Sequence, residues 1–293
     1  MSTEYADIVV KAPINPVPSS NAISSETESP TIIPRSNEPI RFTVRVPHGK
    51  SLGSHSPTRY LSTAPMAPPI ATNVNIFGSM IPAGTREDFN PHPLFRDMMP
   101  TVNFLTGNPG KLSEVQALLS PFGYSVNSFE VDGKVPDLVE PQAHDLTTVA
   151  LAKVAQGVEI LAQEGRLSES LLVEDSGLFI DSLTNFPGVY SSHIFQSLGL
   201  ERVLKLVESN REAHFITVAA YWTGEIVEVF VGRCDGLIST KIQGEGGFGY
   251  DPIFIPLEGD GQRTFAEMNN EEKSRFSHRG KALRQLAEFL SEN

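Results

Sequence analysis

The chain is poor in cysteine and has no long apolar run, and each shortage excludes a class of protein. Cys234 is the one cysteine in 293 residues, so an internal disulfide is impossible, and we expect a strand thiol rather than a nucleophile. No apolar stretch approaches the ~20 residues of a membrane-spanning helix. The N-terminus has no charged region followed by an apolar run, so we expect no secretory signal and a cytoplasmic protein. Its many serines leave organelle targeting open, although Glu4 and Asp7 weigh against it.

Positive charge is also scarce, and the shortage is confined to one part of the chain. Lys and Arg number 23 against 35 Asp and Glu, which gives a net charge of −12. Residues 1–100 hold eight charges of each sign, so the whole negative excess lies in residues 101–293. We therefore expect neither nucleic acid nor an anionic membrane as a partner. A polyphosphate substrate would need a divalent cation to offset the repulsion.

Proline divides the chain at the same place. Residues 1–100 contain 15 of the 22 prolines and many Ser and Thr, a composition that cannot bury enough apolar surface to offset the entropy of ordering. Only residues 40–46 alternate like a short strand, which is marginal in isolation. We predict a disordered extension over residues 1–98 and one folded domain over residues 99–293.

The folded part has the pattern of an α/β protein. Apolar runs and helical periods alternate at first, and then two long strands follow one another around Thr223 and Gly224. This order predicts a mixed sheet with an antiparallel portion, flanked by helices. The predicted strands are 102–105, 125–131, 171–173, 215–222 and 226–234, and the predicted helices are 110–119, 146–163, 200–208 and 278–290.

A polar turn, Thr106-Gly-Asn-Pro-Gly-Lys111, joins the first strand to the first helix. The free N–H groups of a helix start, the helix dipole and the Lys111 ammonium together favour an anion, and Thr106 and Asn108 add short donors. The spacing is not that of a Walker A loop. The turn is therefore either a phosphate cradle or an ordinary strand-to-helix turn with a surface lysine.

Two adjacent carboxylates, Glu174 and Asp175, follow the apolar strand 171–173 and precede Ser176. Carboxylates at the end of a strand suit Mg²⁺, and one of them can take a proton from an attacking water. The alternative is a strand that ends in a polar turn. Glu140 in a proline-marked loop and Lys153 in the next helix are further candidates, although such groups are most often solvated.

Two later segments carry aromatic and basic residues. The glycine-rich stretch 244–252 is not a dinucleotide fingerprint, because no helix follows it. Phe248 and Tyr250 within it either stack on a base or pack inward. Further on, Ser277 is a candidate N-cap, which puts His278 and Arg279 in a first helical turn against the dipole. An anion or a carbonyl acceptor would compensate for that placement; the alternative is a basic surface turn.

These segments, taken in order, resemble the inosine triphosphate pyrophosphatase family. The resemblance covers roughly residues 101–291 and implies an elongated α/β fold with a central substrate cleft, a homodimer, and hydrolysis of ITP, dITP or XTP to the monophosphate and pyrophosphate. Mg²⁺ is the implied cofactor, with Mn²⁺ as an alternative. The matching motifs are TGNPGK (106–111), EPQ (140–142), VEDSGL (173–178), FPGVYSS (186–192), GGFGYDPIF (246–254) and EKSRFSHRGKAL (272–283).

The resemblance also implies a role for each matched residue. Glu140 and Asp175 would bind the metal, and Asp175 would accept the proton of the water that attacks the α-phosphorus. Phe248 would stack on the base between Tyr250 and Asp251. The residues implied to hold the triphosphate are Thr106, Asn108, Lys111, Lys153 and Ser176. Those implied to read the purine edge are Lys273, Ser277, His278 and Arg279.

The chain departs from the family at Ala143, where glycine is common, and at Glu174, where aspartate is common. A donor such as Arg279 would pair with the 6-keto group of hypoxanthine and stay unpaired beside adenine, which allows strong discrimination. Two rival functions remain at this point. One is a Maf-like pyrophosphatase for pyrimidine or modified nucleotides, and the other is a non-catalytic nucleotide sensor with a long N-terminal arm.

Overall fold

The computed structural model describes residues 40–44, as backbone, and residues 99–292; the rest of the predicted extension lies outside the described residues. Short 3-10 turns join several of the elements. The strands are β1 (Ile40–Val44), β2 (Thr101–Phe104), β3 (Ser125–Ser128), β4 (Leu171–Ile180), β5 (Phe186–Gly188), β6 (Glu212–Trp222), β7 (Val227–Ile238) and β8 (Phe254–Pro256). The helices are α1 (Pro109–Leu119), α2 (Leu146–Gln163), α3 (Ser191–Leu206), α4 (Asn270–Phe276) and α5 (His278–Glu292).

The strands form one mixed sheet in the order β1-β7-β6-β4-β2-β3. β2 runs parallel to β3 and β4, whereas β4, β6, β7 and β1 are antiparallel neighbours, as the sequence predicted for the second half of the sheet. The hairpin between β6 and β7 is closed by Thr223, whose Oγ1 accepts hydrogen bonds from the N–H groups of Glu225 and Ile226. At one end of the sheet, β5 pairs with the last residues of β4, and β8 pairs with the last residues of β7; both pairs are antiparallel.

Helices cover both faces of the half of the sheet that contains residues 171–173 of β4. α2 packs on the face formed by residues such as Val173 and Val218, while α1 and α5 pack on the opposite face around Leu172 and Phe230. The alternation of side chains along a strand sends successive residues to these two cores. β6 lies between the two cores and is buried on both faces. Its sequence therefore shows no regular alternation of apolar and polar residues.

A third core occupies the far end of the sheet, where α3, β8 and the turns around Phe265 pack on Leu178 and Phe215. Because β4, β6 and β7 run through all three cores, the molecule is elongated and a cleft opens between its two ends. No helix among the described residues is both long and apolar enough to cross a bilayer.

The largest differences from the predicted bounds are in β4 and α3, and β3 ends at Ser128 rather than at residue 131. β4 continues to Ile180 rather than ending before Glu174, because it pairs with β6 along its whole length. α3 begins at Ser191, earlier than predicted, and is interrupted at Gly199, whose φ of 71° breaks the helical period. The strand predicted over 40–46 is present as β1, paired with β7 in the register that sets Ile40 opposite Val231.

Candidate active site

The cleft between the two ends of the sheet has a volume of ≈ 850 Å³. It lies where β2 stops and β4 continues, which places the middle of β4 on its floor. Twelve of the fourteen predicted site residues line it: Thr106, Asn108, Lys111, Glu140, Lys153, Asp175, Ser176, Phe248, Tyr250, Asp251, His278 and Arg279. The other two, Lys273 and Ser277, line a second cavity behind it.

The start of α1 forms one wall of the cleft, as the TGNPGK turn predicted. Asn108 is the N-cap, and its Oδ1 accepts hydrogen bonds from the N–H groups of Gly110 at 2.9 Å and Lys111 at 3.2 Å. Thr106 Oγ1 in turn accepts from the N–H of Asn108. The cap therefore occupies two donors that the sequence argument had offered to phosphate. The attraction for an anion rests mainly on the helix dipole and on the Lys111 ammonium.

Three charged side chains meet across the cleft from α1. Lys153 Nζ lies 2.6 Å from Glu140 Oε1 and 2.8 Å from Asp175 Oδ1. Burial raises the pKa of Asp175, and the attraction of Lys153 and Lys111 offsets only part of that rise. Burial would lower the pKa of Lys153, but its two carboxylate neighbours outweigh burial and raise it, so the ammonium stays charged. The two predicted metal ligands thus converge on one cation.

Glu174 points to the opposite face of β4 and is fully buried. Its carboxylate accepts from Arg279 Nε at 3.0 Å and Nη2 at 3.2 Å, and Lys111 Nζ lies 3.5 Å away. Burial alone would raise the pKa of Glu174, but the charges of Arg279 and Lys111 hold it well below its usual range. The Ser176 hydroxyl also bonds this carboxylate and lies 2.7 Å from Thr217 Oγ1.

Glu114 of α1 belongs to the same ion network and was not predicted from the sequence. It accepts from Lys273 Nζ at 2.6 Å and from Arg279 Nη1. Burial raises its pKa and these two cations lower it, with a net lowering. No local pattern marks Glu114, because its partners lie 159 and 165 residues away in the chain.

Arg279 is therefore held mostly by protein groups. Its four hydrogen bonds go to Glu174, Glu114 and Ser176, which leaves one of the five guanidinium N–H groups without an acceptor among the described residues. The predicted conflict with its helix dipole is resolved by these carboxylates. Its predicted contact with a purine stays a prediction, with a single donor left for it.

The glycine-rich loop places Phe248 at the base of the cleft. Asp251 is buried and its Oδ2 accepts from the Phe248 N–H and from Lys273 Nζ, both at 2.7 Å. Gly247 has a φ of 69°, and a Cβ there would lie 2.1 Å from the same oxygen, so the loop needs glycine to wrap around Asp251. Lys273 Nζ and Arg279 Cζ lie 4.8 Å and 5.3 Å from the centre of the Phe248 ring.

Two further aromatic groups line the same end of the cleft. Tyr250 donates its hydroxyl hydrogen to the Ser191 carbonyl. It therefore packs inward, which was one of the two arrangements that the sequence allowed. His278 begins α5 after the Ser277 cap and stacks on Phe215 with ring centres 4.4 Å apart. Burial and the nearby Arg279 hold the pKa of His278 well below its usual range, so the ring is neutral.

His278 has a buried polar atom without a partner. Its Nδ1 makes no hydrogen bond to any of the described residues, although a buried polar atom normally has one. The ring lines the cleft, although Nδ1 itself is shielded from solvent in this structure.

The donor set can hold a hard divalent cation only with help from a ligand. Glu140 and Asp175 supply two converging carboxylates, and no group of three or more metal-ligating side chains occurs among the described residues. Mg²⁺ is characteristically bound by one or two carboxylates, substrate phosphates and waters. The residues present therefore fit a metal that arrives with a phosphorylated ligand.

The chain is similar to known proteins over the part that builds this cleft. The sequence profile of the Ham1 family matches residues 102–289. A protein of Thermococcus kodakarensis named dITP/XTP pyrophosphatase is 47% identical over 192 residues, which cover 65% of this chain and 97% of the relative. A protein of the same name from Pyrococcus horikoshii is 41% identical over 192 residues, covering 65% of this chain and 96% of its own.

A solved structure shares the fold. The structure of a HAM1 protein from Coxiella burnetii aligns with a TM-score of 0.53 at 30% identity, covering 67% of this chain and 100% of that one. The match spans the elongated mixed sheet and its flanking helices, and it confirms the fold class predicted from the motifs.

Proposed function

The chain belongs to the Ham1 family, in keeping with the resemblance that its motifs carry, and on this premise we propose that it is a nucleoside triphosphate pyrophosphatase. It hydrolyses non-canonical purine nucleotides, ITP, dITP and XTP, to the monophosphate and pyrophosphate, and so removes them from the nucleotide pool. The names of the relatives support this substrate class, and the chain matches nearly their whole length. The implied homodimer and cytoplasmic location belong to the same proposal.

The observation that carries the proposal is that one cleft combines two kinds of chemical group. Lys111, Lys153 and Asp175 line it together with the aromatic rings of Phe248 and His278. A nucleoside triphosphate likewise combines a polyanion with a flat polar base. The second rival, a sensor without catalysis, would not need a buried carboxylate with a raised pKa beside Lys153.

Asp175 is the general base of the proposed reaction. Among the described residues only its Oδ1 has a partner, the Lys153 ammonium, which leaves Oδ2 for a water molecule. A carboxylate whose pKa is raised by burial is a better proton acceptor than one in solution. Water activated there attacks the α-phosphorus, and the β- and γ-phosphates leave together as pyrophosphate.

The charge balance of the cleft supports a metal requirement. The ammonium groups of Lys111 and Lys153 and the guanidinium of Arg279 all lie within ion-pair distance of carboxylates, so none is a free counter-charge for a triphosphate. Glu140 and Asp175 would hold Mg²⁺, with Mn²⁺ as an alternative. When bound, the metal supplies Lewis-acid polarisation and neutralises phosphate charge.

His278 is the best-placed group for reading the base. A neutral imidazole carries one N–H, which it can donate to a keto oxygen such as O6 of hypoxanthine. Adenine presents an amino group at that position, so the imidazole N–H would have no acceptor there. Leaving a buried donor unpaired costs about 1–3 kcal/mol, which favours 6-keto purines over adenine.

Hydrolysis of ITP in ¹⁸O-labelled water tests the proposed chemistry. Attack on the α-phosphorus puts the label in inosine monophosphate and leaves pyrophosphate unlabelled, which mass spectrometry or phosphorus NMR distinguishes. Label in pyrophosphate, or orthophosphate as the first product, would overturn the assigned position of cleavage.

A further inference from the structure

Lys153 occupies the point on which the two proposed metal ligands converge. Its Nζ is 2.6 Å from Glu140 Oε1 and 2.8 Å from Asp175 Oδ1, and no other cation among the described residues lies within 4 Å of either carboxylate. These are distances for charge-assisted hydrogen bonds, whereas Mg²⁺ would lie 2.0–2.1 Å from the same oxygens. Ammonium and metal therefore compete for one position.

The position of Lys153 is built into the fold. α2 starts at the Asp145 cap, whose Oδ1 accepts from the Thr148 N–H. One turn after Lys153, Gly157 lets α2 approach β4 so closely that a Cβ there would lie 2.4 Å from Leu171 Cδ2. The lysine thus starts from a helix pressed against the strand that carries Asp175, and its side chain is only 12% exposed.

The other cations of the cleft do not share this role. Lys111 lies 3.5 Å from the Glu174 carboxylate, on the opposite side of β4 from Asp175, and Arg279 is bound by Glu174 and Glu114. Lysine has a long flexible stem, so its ammonium can leave one acceptor for another without a change in the backbone.

We propose that Lys153 is a resident counter-ion that holds Glu140 and Asp175 until a nucleotide arrives, so that the divalent metal binds together with the triphosphate and not ahead of it. The inference rests on the proposed function, because the phosphate oxygens are what draw the ammonium away from the carboxylates. In this role Lys153 is a positioning residue that sets the order of binding. Free metal alone then has little access to the site.

Mn²⁺ binding to the full-length protein without nucleotide, followed by electron paramagnetic resonance, tests the proposal. Lys153→Met removes the competing charge, and we expect its affinity for Mn²⁺ to rise by about tenfold or more over wild type, a difference of ~1.4 kcal/mol. Lys153→Arg keeps the charge and should bind Mn²⁺ as weakly as wild type. Mn²⁺ should also raise the melting temperature of Lys153→Met more than that of wild type.

Lys111→Met is the matched control, because it removes the same charge from the same cleft but from the partner of Glu174. Its affinity for Mn²⁺ should change much less than that of Lys153→Met. If both variants bound Mn²⁺ equally more tightly than wild type, net charge alone would explain the change and the proposal would be overturned. An unchanged affinity of Lys153→Met for Mn²⁺ would overturn it as well. If Lys153→Met does not fold, Lys153→Gln, which retains polar contacts, takes its place with the same expectations.

The wild-type protein provides a second measurement. A non-hydrolysable ITP analogue with a methylene group between the α- and β-phosphorus should tighten Mn²⁺ binding to the protein by more than tenfold over the nucleotide-free protein. Tight Mn²⁺ binding without nucleotide would contradict the proposed order. None of these readouts uses turnover, so a failure to hydrolyse ITP would reject the proposed function and leave the lysine comparison to be judged by itself.

Discussion

Removing the charge of Glu174 tests how the cleft is held together. Glu174→Gln keeps the size of the side chain but leaves Arg279 without the carboxylate that accepts two of its hydrogen bonds, at 3.0 Å and 3.2 Å. The amide also gives up its attraction for Lys111. Because Glu174 and Arg279 are both buried, water cannot replace the lost partner.

The expected loss of stability is large. Removing one partner of a buried ion pair costs about 3–5 kcal/mol, since the remaining charge stays buried without compensation. Glu114 still pairs with Arg279, so we expect the lower part of that range. For a domain of this size each kcal/mol lowers the melting temperature by about 2–4 °C, so a loss of about 3 kcal/mol in Glu174→Gln should lower it by roughly 6–12 °C.

The same variant should change the response of stability to acid. The folded-state pKa of Glu174 lies below its unfolded value, so its stabilisation is complete above the unfolded pKa of about 4.3 and is lost as the pH falls towards the folded value. Wild type should therefore lose more stability than Glu174→Gln between about pH 5 and pH 3.

Urea unfolding followed by circular dichroism at pH 7, pH 5 and pH 3 measures both effects. Glu271→Gln is the control, because Glu271 pairs with Arg275 on the surface and both side chains are more than half exposed. A Glu174→Gln variant as stable as wild type at pH 7, or one with the full wild-type sensitivity to acid, would refute the account of the buried network.

Three other predictions concern catalysis, selectivity and the extension. Asp175→Asn should lose turnover while retaining ITP binding by calorimetry, since an amide cannot accept the proton; activity within a few-fold of wild type would remove Asp175 from the mechanism. His278→Leu should lower kcat/KM for ITP by roughly 10- to 100-fold and for ATP much less, and an equal loss on both would assign His278 to the fold. A chain that begins at Met99 should keep kcat/KM for ITP within about tenfold but melt at a lower temperature, because it lacks β1 and opens the edge of β7. An unchanged melting temperature would show that β1 adds no stability.

The sequence allowed much of the site to be predicted because its signals are local. The polar turn 106–111 before α1 and the Ser277 cap each depend on neighbours within a few residues. Such signals identify where helices begin, and two of these helix starts line the cleft. The order of the motifs then indicated the family, and the order of strands and helices predicted the mixed sheet.

What the sequence did not reveal depends on residues far apart in the chain. Glu114 meets Lys273 and Arg279 across separations of 159 and 165 residues, and no local pattern announces such pairs. The true length of β4 was also hidden, because Glu174 and Asp175 look like the end of a strand until β6 is known to pair beside them. The local signals therefore identified the groups of the cleft, while tertiary pairing decided which of them are already bound to one another.

Pyrophosphate release from a panel of ITP, XTP, GTP, ATP and UTP in the presence of Mg²⁺ tests the central claim most directly. The account predicts that kcat/KM for ITP and XTP exceeds that for ATP and UTP, because His278 pairs with a 6-keto purine and Phe248 stacks on it. Comparable rates on all five nucleotides, or a preference for UTP, would contradict the assigned substrate class and favour the Maf-like alternative. Binding of ITP without release of pyrophosphate would contradict catalysis itself.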